Sequence, residues 1–307
     1  GQLGVACASA EQICPIRILR FANQALDFPC RLVDNTGRLN GELTAHRRTT
    51  MNQPSFMVIG AQKCGTTWLD GMLRQHPEVF ISKEKELHFW DKESRWQGGM
   101  AAYADYFAKA RPAHKAIGEC TPNYFWTTPD VSELSEGGAL NGQLPARIAA
   151  ELPDLKLVVL LRDPTERAIS AYFHHVRKKR VRPDQSILDV MEAHGIASMG
   201  HYAEHLEAWW RCFPKTSLKI LFYEEAVRQN KTQTLRSVFD HIGVNPEFEV
   251  QGIDARLNRR RSDMFMRMNF VSAPLAWALE YVVPARMRDA EFWKVRVSDE
   301  ERAALKA

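Results

Sequence analysis

The sequence predicts an α/β protein, a doubly wound parallel sheet flanked by helices in a single domain, and three observations carry that expectation. Beyond residue 55, short apolar strands alternate with amphipathic helices. The strongest strand, Leu-Lys-Leu-Val-Val-Leu-Leu at 155–161, is almost continuously apolar, as a central strand covered by helices on both sides must be. A glycine-bearing turn joins the first strand directly to the first helix, at the carboxyl end of the sheet where such folds bind ligands.

Each element has its own local reason. Phe56-Met-Val-Ile-Gly60 reads as a buried strand, and 66–75 as a helix with Trp68, Leu69, Met72 and Leu73 on one side, stopped by His76-Pro77. A short strand follows at 79–82. After the strand at 155–161, Asp163-Pro-Thr-Glu166 supplies an N-cap, a proline at the first helical position and a glutamate at the third. That capping box opens a helix to about Val176. Residues 218–222 form a further strand.

Composition bounds the function. The chain has 307 residues, 45% hydrophobic and 25% charged, with 17 Gly and 15 Pro, which excludes disordered, collagen-like and low-complexity classes. A net charge of +4 suits an anionic small molecule and gives no argument for nucleic acid. The longest nearly apolar stretch, 271–285, is interrupted by Glu280 and Pro284 and falls short of the roughly 20 residues of a membrane span. Cys7, Cys14, Cys30, Cys64, Cys120 and Cys212 show neither C-x-x-C pairs nor Cys/His metal spacing. They read as free thiols in a reducing, cytoplasmic setting, with no metal site. Met51 stands just before the first strand. Residues 1–50 are therefore expected to be an N-terminal extension, poorly ordered or not native, and 51–307 to hold the domain.

Gly60-Ala-Gln-Lys63-Cys64-Gly65-Thr66-Thr67 is the first chemical motif. Glycines let its backbone curl so that several N–H groups face one anion, and the helix N-terminus adds its positive dipole end. The G-x-x-x-x-G spacing is that of a nucleotide-triphosphate loop, but Thr66 stands where that loop carries lysine, and Lys63 lies inside the turn instead. With that displacement, Gln62-Lys63-Cys64-Gly65-Thr66-Thr67-Trp68-Leu69 resembles the 5′-phosphosulfate loop of sulfotransferases that use 3′-phosphoadenosine 5′-phosphosulfate (PAPS). The resemblance implies a P-loop-type fold and a donor bound by Lys63, Cys64, Gly65, Thr66, Thr67 and Trp68. In it Lys63 stabilises charge on the bridging oxygen as the sulfuryl group leaves.

A second motif tests the first. Arg162 ends the strongest strand and Ser170 lies on the capped helix, a pair similar to the family's 3′-phosphate site. Arginine suits phosphate because its fork donates two parallel charge-assisted hydrogen bonds. A P-loop small-molecule kinase would instead recruit Asp163 as a magnesium ligand, although its D-P-x-E setting already explains that residue as a cap. A non-catalytic nucleotide-binding module is the other alternative.

Lys83-Glu-Lys-Glu86-Leu-His88-Phe-Trp90 resembles the segment carrying the catalytic glutamate in the carbohydrate (heparan-type) branch of the family and its bacterial relatives. The resemblance puts the base at Glu86 with His88 beside it. A hydroxyl attacking sulfur must lose a proton, and a carboxylate within reach takes it. His88 is the rival base, because the phenol and steroid branch uses histidine. Gly118-Glu-Cys-Thr-Pro-Asn-Tyr124 is similar to a family segment bordering the acceptor cleft and is assigned no chemistry; Tyr223-Glu-Glu225 reads as structural. Arg177-Lys-Lys-Arg180 reads as a solvated helix end or as a docking strip for an anionic glycan. Arg261, in a basic run, matches where family members cover the donor. Trp90, Trp96, Tyr103, Tyr124 and Trp126 are available for sugar stacking or for packing. The expected reaction is sulfuryl transfer from PAPS to a hydroxyl or amine of a glycan, lipid or natural product, without metal. Val297–Leu305 resembles the start of the family's last helix, and the short remainder implies a domain truncated at its C-terminus.

Overall fold

A computed structural model of the protein describes residues 53–127, 143–254, 262–288, 290 and 294–306. The expected extension at 1–50 and the ligand expected at Arg261 lie outside the described residues. Strand β1 (Phe56–Gly60) is buried along its whole length and turns into helix α1 (Thr66–Leu73). The chain continues through β2 (Val79–Ile81), β3 (Ala116–Cys120), α2 (Leu144–Glu151) and β4 (Lys156–Leu161). Then follow α3 (Pro164–Arg177), α4 (Tyr202–Trp210), β5 (Leu218–Phe222) and α5 (Lys231–Ile242). Helices α6 (Asp263–Val271), α7 (Ala273–Val282), α8 (Ala285–Arg288) and α9 (Asp299–Ala304) complete it.

The five strands pair in parallel in the order β2-β3-β1-β4-β5. From β1 the chain runs to β2 at one edge, returns inward to β3 beside β1, and then crosses to β4 and β5 on the other side. That reversal opens a crevice at the carboxyl end of β1, which is where ligands bind in open α/β sheets. Helices cover the sheet by regular spacing: α5 buries Leu235, Val238, Phe239 and Ile242, one stripe of a helix. Each such side chain contributes about 1.5–3 kcal/mol by leaving water.

Strand β3 is not evident in the hydropathy, because Gly118 and Glu119 interrupt it. Both have a packing reason. A Cβ at Gly118 would stand 2.6 Å from the Phe56 ring on the neighbouring strand. The fully buried Glu119 carboxylate accepts hydrogen bonds from the Tyr103 and Thr121 hydroxyls, the latter at 2.7 Å. Burial pushes its pKa up to about 7 against those bonds. The first helix ends at Leu73, the last residue of its apolar side, two residues before the expected 75. Arg74 caps it, reaching back to Asp70 at 3.0 Å and across to the Ser82 carbonyl at 2.8 Å. Asp163 caps α3 by accepting from the Glu166 N–H at 2.9 Å, the role its D-P-x-E setting predicts. Helix α9 starts at a capping box between Ser298 and Glu301, and it is held to α3 by an Arg302–Glu166 ion pair.

Candidate active site

The turn after β1 is shaped by two left-handed residues, Lys63 at φ 71° and Gly65 at φ 96°. Gly65 is required twice over. Its φ disfavours a side chain, and a Cβ there would lie 2.9 Å from the Tyr223 ring. The Trp68 and Leu69 N–H groups bond back to the Gly65 carbonyl at 2.9 and 3.2 Å. The Thr66 and Thr67 N–H groups, first in α1, have no acceptor within the helix and aim at the crevice end. Such an array is a ready anion cradle. Cys64 is buried with its thiol 3.7 Å from the Tyr202 hydroxyl. Burial pushes that thiol up to about 11, so it stays neutral. Trp68 is buried too, donating its indole N–H to the Ile253 carbonyl at 3.1 Å.

Cations converge on this cradle. Burial pulls the Lys63 ammonium down to about 8; Arg177 and Arg162 push the same way, and Glu86 opposes them. Lys85 donates to the Thr67 hydroxyl at 3.0 Å. The Arg162 guanidinium lies over the Tyr223 ring at 5.1 Å, with Glu166 at 3.5 Å. Its Nε is buried without a hydrogen-bond partner among the described residues. Ser170 follows one helical turn after Glu166 on the same face of α3. Tyr202 ties the two motifs together: its hydroxyl donates to the Arg162 carbonyl at 2.9 Å and lies against Cys64. Beneath them, fully buried Arg167 donates to the Gly195 and Ile196 carbonyls. An orphaned guanidinium nitrogen, a desolvated ammonium and an open set of helix N–H groups together fit an anion carrying more than one phosphate.

The charge run after β2 divides. Lys83 and Glu84 face solvent, Glu84 pairing with Arg95 at 2.8 Å, whereas Lys85 and Glu86 are half-buried. Glu86 Oε2 stands 3.4 Å from His88 Nε2, and His88 Nδ1 lies 2.8 Å from Asp91 Oδ2. Asn123 donates to that same Asp91 oxygen at 2.9 Å. Burial works against the charged imidazole, but the hydrogen bonds to Asp91 and then Glu86 carry it up to about 9. At neutral pH His88 is therefore an imidazolium with both nitrogens engaged by carboxylates, and it has no lone pair to offer a proton. The segment is pinned from Gly118–Tyr124. The Leu87 N–H donates to Thr121 Oγ1 at 3.0 Å and the Phe89 N–H to the Tyr124 hydroxyl at 2.9 Å.

The structure thus brings Lys63, Cys64, Gly65, Thr66, Thr67, Arg162, Glu86 and His88 to one end of the sheet. Trp90, Tyr103, Tyr124 and Trp126 are buried and pack against neighbours, Trp90 and Tyr103 edge-on at 5.1 Å. Half-buried Trp96 carries the Arg147 guanidinium 4.8 Å from its ring centroid. Lys85, Asp91, Asn123 and Tyr202 were not singled out from the sequence. Asp91 was open to recognition, since it falls three residues after His88, one turn's reach for a histidine partner. Lys85 and Asn123 lie within motifs read from the sequence, but their roles, like that of Tyr202, come from tertiary contacts. Among the described residues, no group of three His, Cys, Asp or Glu side chains is placed to hold a metal ion.

Comparison with known proteins gives a consistent picture. Residues 53–259 match a family model described as a sulfotransferase domain. The chain is 32% identical over 199 residues to heparan sulfate glucosamine 3-O-sulfotransferase 3B1 of Mus musculus, covering 62% of this chain and 46% of that protein. It is 27% identical over 226 residues to heparan sulfate glucosamine 3-O-sulfotransferase 5 of Homo sapiens, covering 70% of this chain and 58% of that one. The chain spans about half the length of these curated relatives. Among solved structures, a sulfotransferase from Alicyclobacillus acidocaldarius aligns with a TM-score of 0.53 at 24% identity. It covers 79% of this chain and 99% of that one, a likeness of fold.

Proposed function

The chain belongs to the sulfotransferase family, and we propose that it moves a sulfuryl group from PAPS to a hydroxyl or amine of a glucosamine-containing glycan. One observation supports this most. Lys85 bonds the phosphate loop at Thr67 while its neighbour Glu86 acts electrostatically on Lys63, so a cation for a leaving phosphate and a carboxylate for an acceptor proton share one crevice. The glycan rests on the names of the relatives.

In this reading the loop from Lys63 to Trp68 holds the donor's 5′-phosphosulfate, and Arg162 with Ser170 holds its 3′-phosphate. Arg261 belongs to the same set. PAPS supplies the activated sulfuryl group. As an acceptor oxygen bonds to sulfur, its proton passes to the Glu86 carboxylate, and negative charge grows on the phosphate oxygen released. Lys63, Lys85 and the helix N–H groups face that charge. His88 orients Glu86 while Asp91 and Asn123 orient His88.

The 3′-phosphate assignment has a direct test by calorimetry. Wild-type protein is expected to bind 3′-phosphoadenosine 5′-phosphate (PAP) much more tightly than AMP. Arg162→Ala should cut PAP affinity by roughly 10- to 100-fold, the value of a charge-assisted hydrogen bond or two, and AMP affinity far less. Equal binding of PAP and ATP by the wild type would overturn the assignment.

Lys63 gives a pH-linked expectation. Its folded pKa, about 8, lies below the ordinary lysine value, so the ligand-free fold is penalised below pH 8 for holding the ammonium. The penalty fades as pH rises toward the unfolded value. Lys63→Met should therefore raise the ligand-free Tm at pH 7 by about 2 °C or more. The stabilisation of the wild type by PAP should be larger at pH 7 than at pH 9.5, because the phosphate restores the charged form. Thermal denaturation at both pH values reads this, and a pH-independent PAP shift would contradict it.

A further inference from the structure

Helix α7 is built inside out. Its one charged residue, Glu280, is buried, accepting hydrogen bonds from the Ser262 N–H and hydroxyl and pairing with Arg288 at 3.5 Å. The opposite face is apolar and open to solvent. Val271 is 78% exposed, Tyr281 76% and Val282 80%, with Leu275, Trp277 and Met287 exposed as well. Leu275, Ala278 and Val282 fall at spacings of three and four along α7, a single stripe, and Val271, which ends α6 before the extended Ser272, is exposed ahead of it. Beside it Trp277 and Tyr281 stack at 6.4 Å, with Trp277 also held edge-on against Phe265 at 5.2 Å. A contiguous exposed apolar face of this kind marks a docking surface.

The charges around the stripe indicate what it meets. Exposed Arg286 stands beyond its far end on α8. At its near end, Asn269 of α6 donates to the Arg177 carbonyl at 2.9 Å, which ties the start of the exposed run Lys178-Lys179-Arg180 to the C-terminal part of α6. The stripe thus lies between two basic ends. A second copy docking through a two-fold axis would bring the same patch against itself, arginine facing arginine with no exposed carboxylate on the stripe to answer them. A specific protein partner would need hydrogen-bonding groups across the contact, and between Val271 and Pro284 the exposed side chains are all apolar apart from the Tyr281 phenol. An apolar face carrying Trp and Tyr, flanked by Arg and Lys, matches the boundary between headgroups and acyl chains. We propose that the outward face of α7, with its flanking basic residues, seats the protein on an anionic lipid surface, lying in the interface plane. No helix among the described residues is long and apolar enough to cross a membrane.

The test is co-sedimentation of the full chain with vesicles of phosphatidylcholine alone or of phosphatidylcholine mixed with phosphatidylserine. Binding is expected to the mixed vesicles and to weaken with salt. Tyr281→Glu and Val282→Glu, at exposed positions that should leave Tm unchanged, should each lower the partition coefficient by roughly tenfold or more. Arg286→Glu should remove most of the preference for phosphatidylserine while leaving residual binding. Equal binding to both vesicle types would overturn the electrostatic half of the proposal. Unchanged binding by the two glutamate variants would overturn the seat itself. So would absence of vesicle binding together with a concentration-dependent dimer that Val282→Glu dissolves, which would make the face a self-interface.

Discussion

Glu86→Gln is expected to lower kcat by roughly 10²–10⁴, the range for losing a general base, while leaving PAP affinity nearly unchanged. Glutamine keeps the shape and can still meet His88, so what is lost is the proton acceptor. His88→Asn should cost less, because His88 acts on the acceptor proton only through Glu86. The pH dependence separates the two roles. An imidazolium with a pKa of about 9 stays charged through neutral pH, so no loss of activity from His88 should appear between pH 6 and 7, where an ordinary histidine base would titrate. The ion pairs of His88 likewise add stability that is complete below the unfolded value near 6.5 and is lost as pH rises through about 9. Near-normal turnover in Glu86→Gln together with collapse in His88→Asn would reverse the assignment.

Lys63→Ala is expected to reduce kcat by roughly 10²–10³, the size of effect found for removing one preorganised partner of a developing charge. The loss should fall on kcat more than on the donor's KM, since charge on the departing phosphate oxygen grows only as the bond to sulfur breaks. Arg162→Ala should show the opposite division, weak donor binding with a smaller change in kcat at saturation. Steady-state kinetics with varied donor reads both. Equal losses in KM and kcat for the two variants would mean that the loop and the strand-end arginine are not functionally distinct.

Much of this was legible in the chain because local rules and tertiary packing agree. β1 and β4 are apolar runs ended by motif residues, and Asp163 caps α3 as its spacing requires, although the reciprocal half of the expected box is absent: the Asp163 N–H bonds Glu224 and the Glu166 carboxylate pairs with Arg162 and Arg302. β3 was hidden because a buried carboxylate satisfied by Tyr103 and Thr121 looks, in one dimension, like a polar break. The run Lys83–Glu86 is charged throughout, and its division is tertiary: Lys85 donates to Thr67, and the Leu87 and Phe89 N–H groups donate to Thr121 and Tyr124, leaving Lys85 and Glu86 half-buried. Tyr202 gives no signal in the sequence, since its role exists only where Arg162 and Cys64 meet. The expectation that Gly118–Tyr124 borders a cleft without chemistry of its own takes a more specific form: that segment is the frame on which the Glu86–His88 pair is hung.

Sulfuryl transfer can be followed by incubating the wild-type protein with PAPS and a heparan-type oligosaccharide and detecting both products by mass spectrometry. Release of PAP is expected in step with an oligosaccharide heavier by one sulfuryl group, both falling together by roughly 10²–10³ in Lys63→Ala. Absence of PAP release across glycan acceptors, with phosphoryl transfer from ATP in its place, would contradict sulfuryl transfer.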